Sequence, residues 1–425
     1  MERERTQVLP NGMKLYSYKN PHLNSFYISL FLKAGCMYES ERDAGITHFL
    51  EHVAIRNVNA QMGGELYALL DRYGIEFNAS TYGEMVQFYV SGARANFAVG
   101  ARIISMILNP IVLSAEEIRT EGDRIKAEIR ESDERGSLVN FTSAIVHSGT
   151  SLARHITGSA SGVSRITRAR LENYRKSVFT PENLFLYVTG SFGDEELDVL
   201  ASLLGDRELY TGELHDNVAP VSTGFFHRDG RVQVKNADYT MLRFTFDMDM
   251  TRISVAESDL LYDILLGGYN SRFFIEMSER SGLFYDLGGA SERYKNIGTL
   301  SFYYEVKPGV LYTAAEKTLE ILRYIAENPP HDTECMKAGY VDNAYMLYDD
   351  VRELNFTFAY DNHILCAGYS SLEERIETYK RITPERISEI ADMIFRPENL
   401  TLTVKGKRLR VDTARLEKIV RNFVK

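Results

Sequence analysis

Several features are scarce in this sequence of 425 residues, and each scarcity excludes a class of protein. Its three cysteines are odd in number and far apart, which argues against a disulfide framework and favours a reducing cytoplasm. No apolar run reaches the ~18–20 residues that span a bilayer, and the charged N-terminus lacks the apolar core of a signal peptide, so we expect no membrane association. A formal net charge of −10 argues against a nucleic-acid partner, because phosphate binding needs clustered Lys and Arg.

What the sequence does contain is a long internal repeat. Residues 166–190 and 382–406 align at a constant offset of 216; each copy begins with Ile-Thr, passes through Pro-Glu-Asn-Leu and ends in Gly. Each copy predicts a helix with a threonine N-cap, a turn at proline and a strand of alternating apolar residues. A weaker match between 85–108 and 300–322 predicts a strand, a turn and an amphipathic helix in each half.

The repeat predicts an α+β protein built of two duplicated domains, each an antiparallel-rich sheet with helices packed on one face. We expect a first domain at 1–204 and a second at 231–425. Residues 205–230 are rich in Gly, Asp and other turn formers, which is typical of a linker. A repeat of this length excludes a solenoid, whose units are far shorter.

The residues with the clearest chemical potential lie at 48–52, where the sequence reads His-Phe-Leu-Glu-His within a segment of helical apolar spacing. His48 and His52 are four residues apart, so on a helix both imidazoles project from one face and can bind one zinc ion. Glu51 shares that face and can reach a water on the metal without being a ligand itself. This pattern arises by chance in roughly one chain in a hundred of this length. A third metal ligand elsewhere in the chain is therefore needed before it predicts a zinc site.

Candidates for the third ligand lie on a predicted helix at 113–135. Glu121 and Glu128 are seven residues apart in that helix and therefore share a face. An acidic residue on a helix as charged as this one is usually only solvated. What distinguishes these two is their distance in sequence from the histidines.

Together these motifs resemble the pitrilysin and insulysin family of inverted zincins, in particular its half-length members such as the bacterial and mitochondrial processing peptidases. The family signature is His-x-x-Glu-His followed by a glutamate about 75 residues later. The resemblance implies that His48, His52 and Glu128 bind Zn2+ and that Glu51 is the catalytic general base. It also implies that Glu121 supports the zinc ligands without touching the metal.

The resemblance covers nearly the whole chain. Residues 9–20 match the opening strand, 33–52 the approach to the zinc helix, and 154–167 the segment before the closing helix. The strand at 77–90 implies that Asn78 and Ala79 bind an extended peptide through backbone hydrogen bonds. In the second half, 267–285 resembles a Gly-rich turn and an Arg-plus-Tyr segment that holds the peptide backbone, and Tyr285 matches the tyrosine.

Two positions depart from the family pattern. The offset of 216 places Ile264 opposite His48, so the second domain carries no zinc motif, as is usual in the family. The arginine expected seven residues before Tyr285 is Ser278, and the nearest guanidinium is that of Arg280. Serine cannot present the planar fork with which arginine binds a carbonyl, so this position cannot hold the substrate backbone as the family's arginine does.

Half-length members of the family act as two chains that close into a chamber. The resemblance therefore implies an unfolded peptide as substrate and a second half-length chain as partner. Ser278 favours a heterodimer, in which a paralogous chain supplies the arginine, over a homodimer. The predicted protein is a cytoplasmic zinc metalloendopeptidase that acts on unfolded peptides, such as a peptide precursor. The alternative is a catalytically silent structural or regulatory subunit, although such members have usually lost the zinc residues that this chain keeps.

Overall fold

The first half of the chain forms one sheet and the helices that follow its strands. The computed structural model describes residues 3–135, 137–221, 231–267, 269, 271–284, 286–330, 333–407 and 410–423. The strands of the first half are β1 (Arg5–Val8), β2 (Lys14–Lys19), β3 (Ser25–Leu32), β4 (Glu76–Thr81), β5 (Val86–Ala93) and β6 (Leu184–Gly190). Its helices are α1 (Ile46–Gln61), α2 (Leu66–Tyr73), α3 (Phe97–Ser105), α4 (Ala115–Arg135), α5 (Leu138–Val146), α6 (Ala160–Val163), α7 (Arg168–Val178) and α8 (Asp194–Gly205).

The second half repeats this plan with a second sheet. Its strands are β7 (Arg231–Asn236), β8 (Thr240–Asp249), β9 (Leu287–Arg293), β10 (Ile297–Val306) and β11 (Leu400–Gly406). Its helices are α9 (Val255–Leu266), α10 (Leu311–Glu327), α11 (Thr333–Asp349), α12 (Val351–Ala359), α13 (Leu372–Lys380), α14 (Pro384–Ile394) and α15 (Thr413–Arg421). Two π-helical turns lie at Phe274–Glu279 and Tyr360–Ile364. Among the described residues, no helix is both long enough and apolar enough to span a bilayer.

The two sheets share one strand order. Among the described strands the first sheet runs β1-β2-β6-β3-β5-β4 and the second β7-β11-β8-β10-β9. In each sheet, the last strand of the repeat pairs parallel with one neighbour and antiparallel with the other. β6 is parallel to β2 and antiparallel to β3, and β11 is parallel to β7 and antiparallel to β8. The predicted threonine N-caps are present, because Thr167 accepts from the amide of Arg170 and Thr383 from that of Arg386. The predicted α+β fold of two duplicated sheets is confirmed.

Both faces of β3, a central strand of the first sheet, are buried, as its sequence predicts. Its residues 25–32 read Ser-Phe-Tyr-Ile-Ser-Leu-Phe-Leu, an almost continuous apolar run of the kind found in strands covered on both sides. Phe26, Ile28 and Leu30 face a core that α1 and α3 cover, whereas Phe31 faces a second cluster that contains Phe358 from the other half. The boundaries at 204 and 231 stay a prediction, since residues 222–230 of the expected linker lie outside the described residues.

Each sheet therefore carries its own helices on one face and a helix of the other half on the opposite face. On the first sheet this helix is α12, whose fully buried Asn355 donates to the carbonyl of Tyr187 at 2.9 Å and accepts from the hydroxyl of Ser29 at 2.7 Å. On the second sheet it is α5, where the hydroxyls of Thr142 and Thr403 lie 2.6 Å apart. This exchange of helices joins the two halves, and the sequence did not predict it.

A network of buried charges lies where α9, α13 and the end of β9 meet. The carboxylate of Asp259 on α9 pairs with Arg293 and Arg375 and accepts from the hydroxyl of Tyr379 at 2.5 Å. Arg375 forms a further ion pair with Asp361, and both of these side chains are buried. Because α9 follows β8 as α1 follows β3, the helix that corresponds to the predicted zinc helix carries a structural ion-pair network.

Asp259→Ala is expected to destabilise the protein by about 3–5 kcal/mol, because two largely buried guanidinium groups would lose a carboxylate partner. Urea unfolding followed by circular dichroism measures the change. Glu377→Ala is the matched control: its carboxylate pairs with Lys380 on an exposed face of α13, and the substitution should leave the free energy of unfolding close to that of the wild type. A loss below 1 kcal/mol for Asp259→Ala would contradict a structural role for the network.

Candidate metal centre

Helix α1 begins at a tightly packed turn. Gly45 has a φ of 89°, and a Cβ on it would lie 2.6 Å from the carbonyl oxygen of Thr157, so the close approach requires glycine. The carboxylate of Glu39 accepts from the amides of Gly45 at 2.8 Å and Thr47 at 2.9 Å. A carboxylate bonded to the first amides of a helix does the work of an N-cap and complements the helix dipole. These contacts fix the start of α1 and with it the positions of the side chains one turn later.

Helix α4 crosses α1 at close range because of a second glycine. A Cβ on Gly122 would lie 3.1 Å from Cζ of Phe49, a distance tighter than ordinary van der Waals contact. The ring of Phe49 therefore packs directly on the backbone of α4. This approach brings Glu121 and Glu128, on the neighbouring turns of α4, over the face of α1 that carries His48 and His52.

The predicted metal ligands converge at this crossing. Nε2 of His48 lies 3.6 Å from one carboxylate oxygen of Glu128, and Nε2 of His52 lies 3.5 Å from the other. The candidate ligand atoms of these three residues all lie within 4.8 Å of one another, the one such group among the described residues. His48 is 7% exposed, whereas 46% of the side chain of Glu128 is exposed, so the site is closed on the helix side and open toward solvent.

The electrostatics of His48 suit a metal ligand. Burial, followed by the nearby charge of His52, lowers the pKa of His48 to about 4. Its imidazole is therefore neutral near pH 7 and has a lone pair to donate, which is the form that binds metals. Its Nδ1 is buried and makes no hydrogen bond to the described residues.

A carboxylate stands behind His52. Nδ1 of His52 lies 3.3 Å from Glu121, and the second oxygen of Glu121 accepts from Arg124 at 3.0 Å. Burial opposes the charged form of His52, but the bond to Glu121 and the charges of the surrounding glutamates raise its pKa overall. A metal bound at Nε2 of His52 would displace the proton from that nitrogen. The proton on Nδ1 would stay and donate to Glu121. This carboxylate–histidine arrangement is the one that orients histidine ligands in zinc enzymes.

Glu51 lies beside the predicted ligands, and its carboxylate accepts a hydrogen bond from a strand residue that the sequence did not predict as a partner. The side chain is 8% exposed, and Thr81 on β4 donates to its Oε2 at 2.5 Å. Burial raises the pKa of Glu51, and the bond from Thr81 and the charge of His52 oppose that rise. A buried carboxylate with a raised pKa suits a group that takes up and releases a proton.

Asn78 and Ala79 lie on β4, which is the edge strand of the first sheet among the described strands. Ala79 pairs with Phe88 of β5 on the inner side. The side-chain oxygen of Asn78 accepts from the amide of Ala79 at 2.9 Å. Among the described strands, the outer edge of β4 therefore has no partner. The strand ends at Thr81, whose hydroxyl contacts Glu51.

The substrate residues expected in the second half are only partly described. Tyr285 lies outside the described residues. Ser278 lies in the π-helical turn at Phe274–Glu279. Arg280 follows that turn, and its guanidinium pairs with Glu276 at 2.6 Å. The guanidinium nearest in sequence to the expected arginine position is therefore already paired with a carboxylate.

Comparison with known proteins finds one family over most of the chain. Residues 14–160 match the family described as Insulinase (Peptidase family M16), and residues 165–338 match its companion, Peptidase M16 inactive domain. An uncharacterized zinc protease of Rickettsia bellii is 27% identical over 403 residues, which cover 93% of this chain and 95% of that protein. The solved structure of a protease from Helicobacter pylori matches with a TM-score of 0.82 at 14% identity, over 95% of this chain and 100% of that one. The periplasmic protease PqqL from Escherichia coli matches with a TM-score of 0.80 at 16% identity, over 99% of this chain and 50% of that one.

Proposed function

The chain belongs to the insulinase-like peptidases of family M16, and from that premise we propose that it is a zinc-dependent endopeptidase acting on unfolded peptides. The observation that carries the proposal is the convergence of His48, His52 and Glu128, whose ligand atoms lie within 4.8 Å of one another. Relatives named zinc proteases, alignable over nine-tenths of this chain, support it.

The residues present fit a catalytic zinc ion. Two imidazoles and one carboxylate are a ligand set typical of catalytic zinc, which keeps a fourth position for water. The partial exposure of Glu128 leaves that position accessible. When bound, zinc would lower the pKa of a water molecule and polarise the scissile carbonyl. The bond between Glu121 and His52 would hold the second histidine in the required tautomer.

The protein's own residues supply the proton transfers and the binding of the peptide. Glu51 would accept the proton of the attacking water and pass it to the leaving amine. Thr81 occupies one oxygen of Glu51, which leaves the other to carry the proton. The peptide would add to the outer edge of β4 as an extended strand along Asn78 and Ala79, displacing the bond between the Asn78 side chain and the Ala79 amide. Binding through the backbone makes little demand on substrate sequence, so a peptide precursor is a suitable substrate.

We propose further that the active form contains two half-length chains enclosing a chamber. This fold occupies half of PqqL, which leaves an equal length of that chain for a second unit. The arginine expected at Ser278 is missing, and Arg280 is paired with Glu276, so a paralogous partner that supplies a guanidinium is favoured over a second copy. Tyr285 would complete the contribution of this chain. The three free cysteines fit the cytoplasm as the location.

The test of the zinc centre is metal analysis of the purified chain. We expect one zinc per chain in the wild type. Glu128→Ala should weaken zinc binding by about 10²–10³-fold, because the 10–16 kcal/mol of a four-ligand zinc site amounts to roughly 2.5–4 kcal/mol per ligand. Competition with a chromogenic chelator measures the affinity.

Glu131→Ala is the matched control, since Glu131 is an exposed glutamate on the same helix three residues further on. Its zinc affinity should equal that of the wild type. If the wild-type chain holds no stoichiometric zinc, the peptidase proposal fails and a silent structural or regulatory subunit becomes the better interpretation.

A further inference from the structure

A cavity of about 570 Å³ lies between the two halves of the chain. Its walls come from the turn between β4 and β5, from α5 and the segment after it, from the end of β9, and from α12 and the π-helical turn that follows. None of the described residues that line it belongs to the candidate metal centre. The side chains that matter here are Tyr82, Glu84, His147, Tyr294, Phe356 and Tyr360.

Glu84 is a buried carboxylate that lacks a cationic partner. The residue is 7% exposed, and among the described residues no Lys, Arg or His forms an ion pair with it. The hydroxyl of Tyr360 donates to its Oε1 at 2.7 Å. Burial, with the charge of Glu292 adding to it, raises the pKa of Glu84 to about 7. Since carboxylates this deeply buried are normally paired with a cation, the missing partner requires an explanation.

The cations near the cavity are engaged elsewhere. Arg154 donates to the main-chain carbonyls of Cys36 and Glu39, and Arg293 pairs with Asp259. Nε2 of His147 lies 3.8 Å from Glu292, the second carboxylate of the wall. None of these groups is within ion-pair distance of Glu84, so no Lys, Arg or His of the described part of the chain forms an ion pair with its carboxylate.

A second polar group of the wall is also without a partner. Tyr294 is 6% exposed, and its hydroxyl makes no hydrogen bond to the described residues. This hydroxyl lies 3.5 Å from where a Cβ on Gly83 would be, next to Glu84 in the same turn. Burial raises the pKa of Tyr294 well above its ordinary value, and the charges of Glu84 and Glu292 add to that rise. A neutral hydroxyl therefore lies against the backbone of the turn that carries Glu84, and Tyr294 and Glu84 line the same cavity.

Part of the remaining wall is aromatic. The rings of Tyr82 and Phe356 lie 5.6 Å apart, and Phe356 stacks on Tyr360 at the same distance. Aromatic faces beside an unpaired carboxylate attract organic cations, because the ring quadrupole and the negative charge act together. A bare divalent ion is less suited, since no set of three ligand side chains converges here among the described residues.

We propose that this cavity binds a small organic ammonium ion, with the nitrogen against Glu84 and the hydroxyl of Tyr294 and the apolar part against the rings of Tyr82, Phe356 and Tyr360. The volume lies within the range of small-molecule sites, about 300–1,000 Å³. The ligand would supply the cation that the buried carboxylate lacks, by a charge-assisted hydrogen bond.

The experiment is calorimetric titration of the full chain with butylammonium chloride at pH 8, above the pKa of Glu84. We expect saturable binding with a dissociation constant of about 10 mM or tighter. Butanol, a neutral molecule of similar shape, should not bind saturably, and sodium chloride at the same ionic strength corrects for screening. Glu84→Gln keeps the shape and can still accept from Tyr360, and it should raise the dissociation constant at least about tenfold.

Glu305→Gln is the matched control, since Glu305 is exposed on β10, and it should bind butylammonium as the wild type does. Phe356→Leu provides a second measurement if Glu84→Gln does not fold, and it should weaken binding about two- to fivefold by removing a ring face. The proposal is overturned if the wild type shows no saturable binding or binds butanol equally well. It is also overturned if folded Glu84→Gln, or in its place Phe356→Leu, retains the wild-type affinity.

Discussion

Glu51→Gln is expected to abolish peptide cleavage while leaving the zinc site intact. Glutamine keeps the length of the side chain and can still accept the hydrogen bond that Thr81 donates to Oε2 at 2.5 Å, so α1 should keep its position. It cannot take a proton from water. Because a positioned general base contributes about 10²–10⁴-fold, turnover of a quenched fluorescent peptide should fall by that factor or more.

Zinc content must be measured on the same samples. Glu116→Gln is the control, since this glutamate lies on the exposed face of α4, 81% of its side chain is accessible, and it touches no predicted ligand. Both variants should bind zinc as the wild type does, and only Glu51→Gln should lose activity. If Glu51→Gln retained zinc and cleaved within tenfold of the wild type, Glu51 would not be the base.

The candidate site was predictable because its main part is local in sequence. The ring spacing of His48 and His52 and the position of Glu51 follow from 3.6 residues per turn once the segment is helical. The repeat at 166–190 and 382–406 likewise predicted α7 followed by β6 and α14 followed by β11, together with their threonine N-caps. In both cases short stretches of sequence carry most of the pattern, whereas Glu128 lies outside the stretch at 48–52 and was assigned through the resemblance to the family signature.

What could not be predicted depends on contacts between distant segments. Thr81 donates to Glu51 although the two residues are 30 positions apart in sequence. A threonine in a strand gives no sign that it has such a partner, because β-branched residues are common in strands. Glu39 reads as a solvated carboxylate before a turn, yet it is 5% exposed and caps α1. The apolar stripe of α12 shows that one face is buried but not against which sheet, and Asn355 gives no sign in sequence that it binds Ser29.

The residue-by-residue correspondence between α1 and α9 differs from the one that the sequence offset of 216 gives. The sequence offset places Ile264 opposite His48. Counted from the helix starts, however, His48 is the third residue of α1 and Glu257 is the third residue of α9. The two registers differ because the connection before α9 is shorter than the one before α1. In either register the second half has no pair of histidines on this helix, and Asp259 and its arginine partners occupy the region.

Addition of a second half-length chain that carries an arginine where this one has Ser278 is expected to raise peptide turnover by about 10²-fold. Correct positioning of the scissile bond is worth a factor of that order, and Ser278 carries no guanidinium to supply it. Arg280 is paired with Glu276 at 2.6 Å, and the serine hydroxyl cannot reproduce two parallel N–H donors. Turnover at increasing ratios of the second chain, with the mass of the complex, measures the effect.

Two matched changes show whether the guanidinium is the cause. Replacing that arginine by serine in the second chain should abolish the activation while leaving the mass of the complex unchanged. Ser278→Arg in the isolated chain should raise turnover if two copies can close on each other, because each would then hold the peptide for the zinc centre of its partner. A wild-type chain that cleaves alone as fast as the mixture would contradict both the heterodimer and the need for the arginine. The peptide would then be held by β4 alone, and the chamber would serve only to exclude folded proteins.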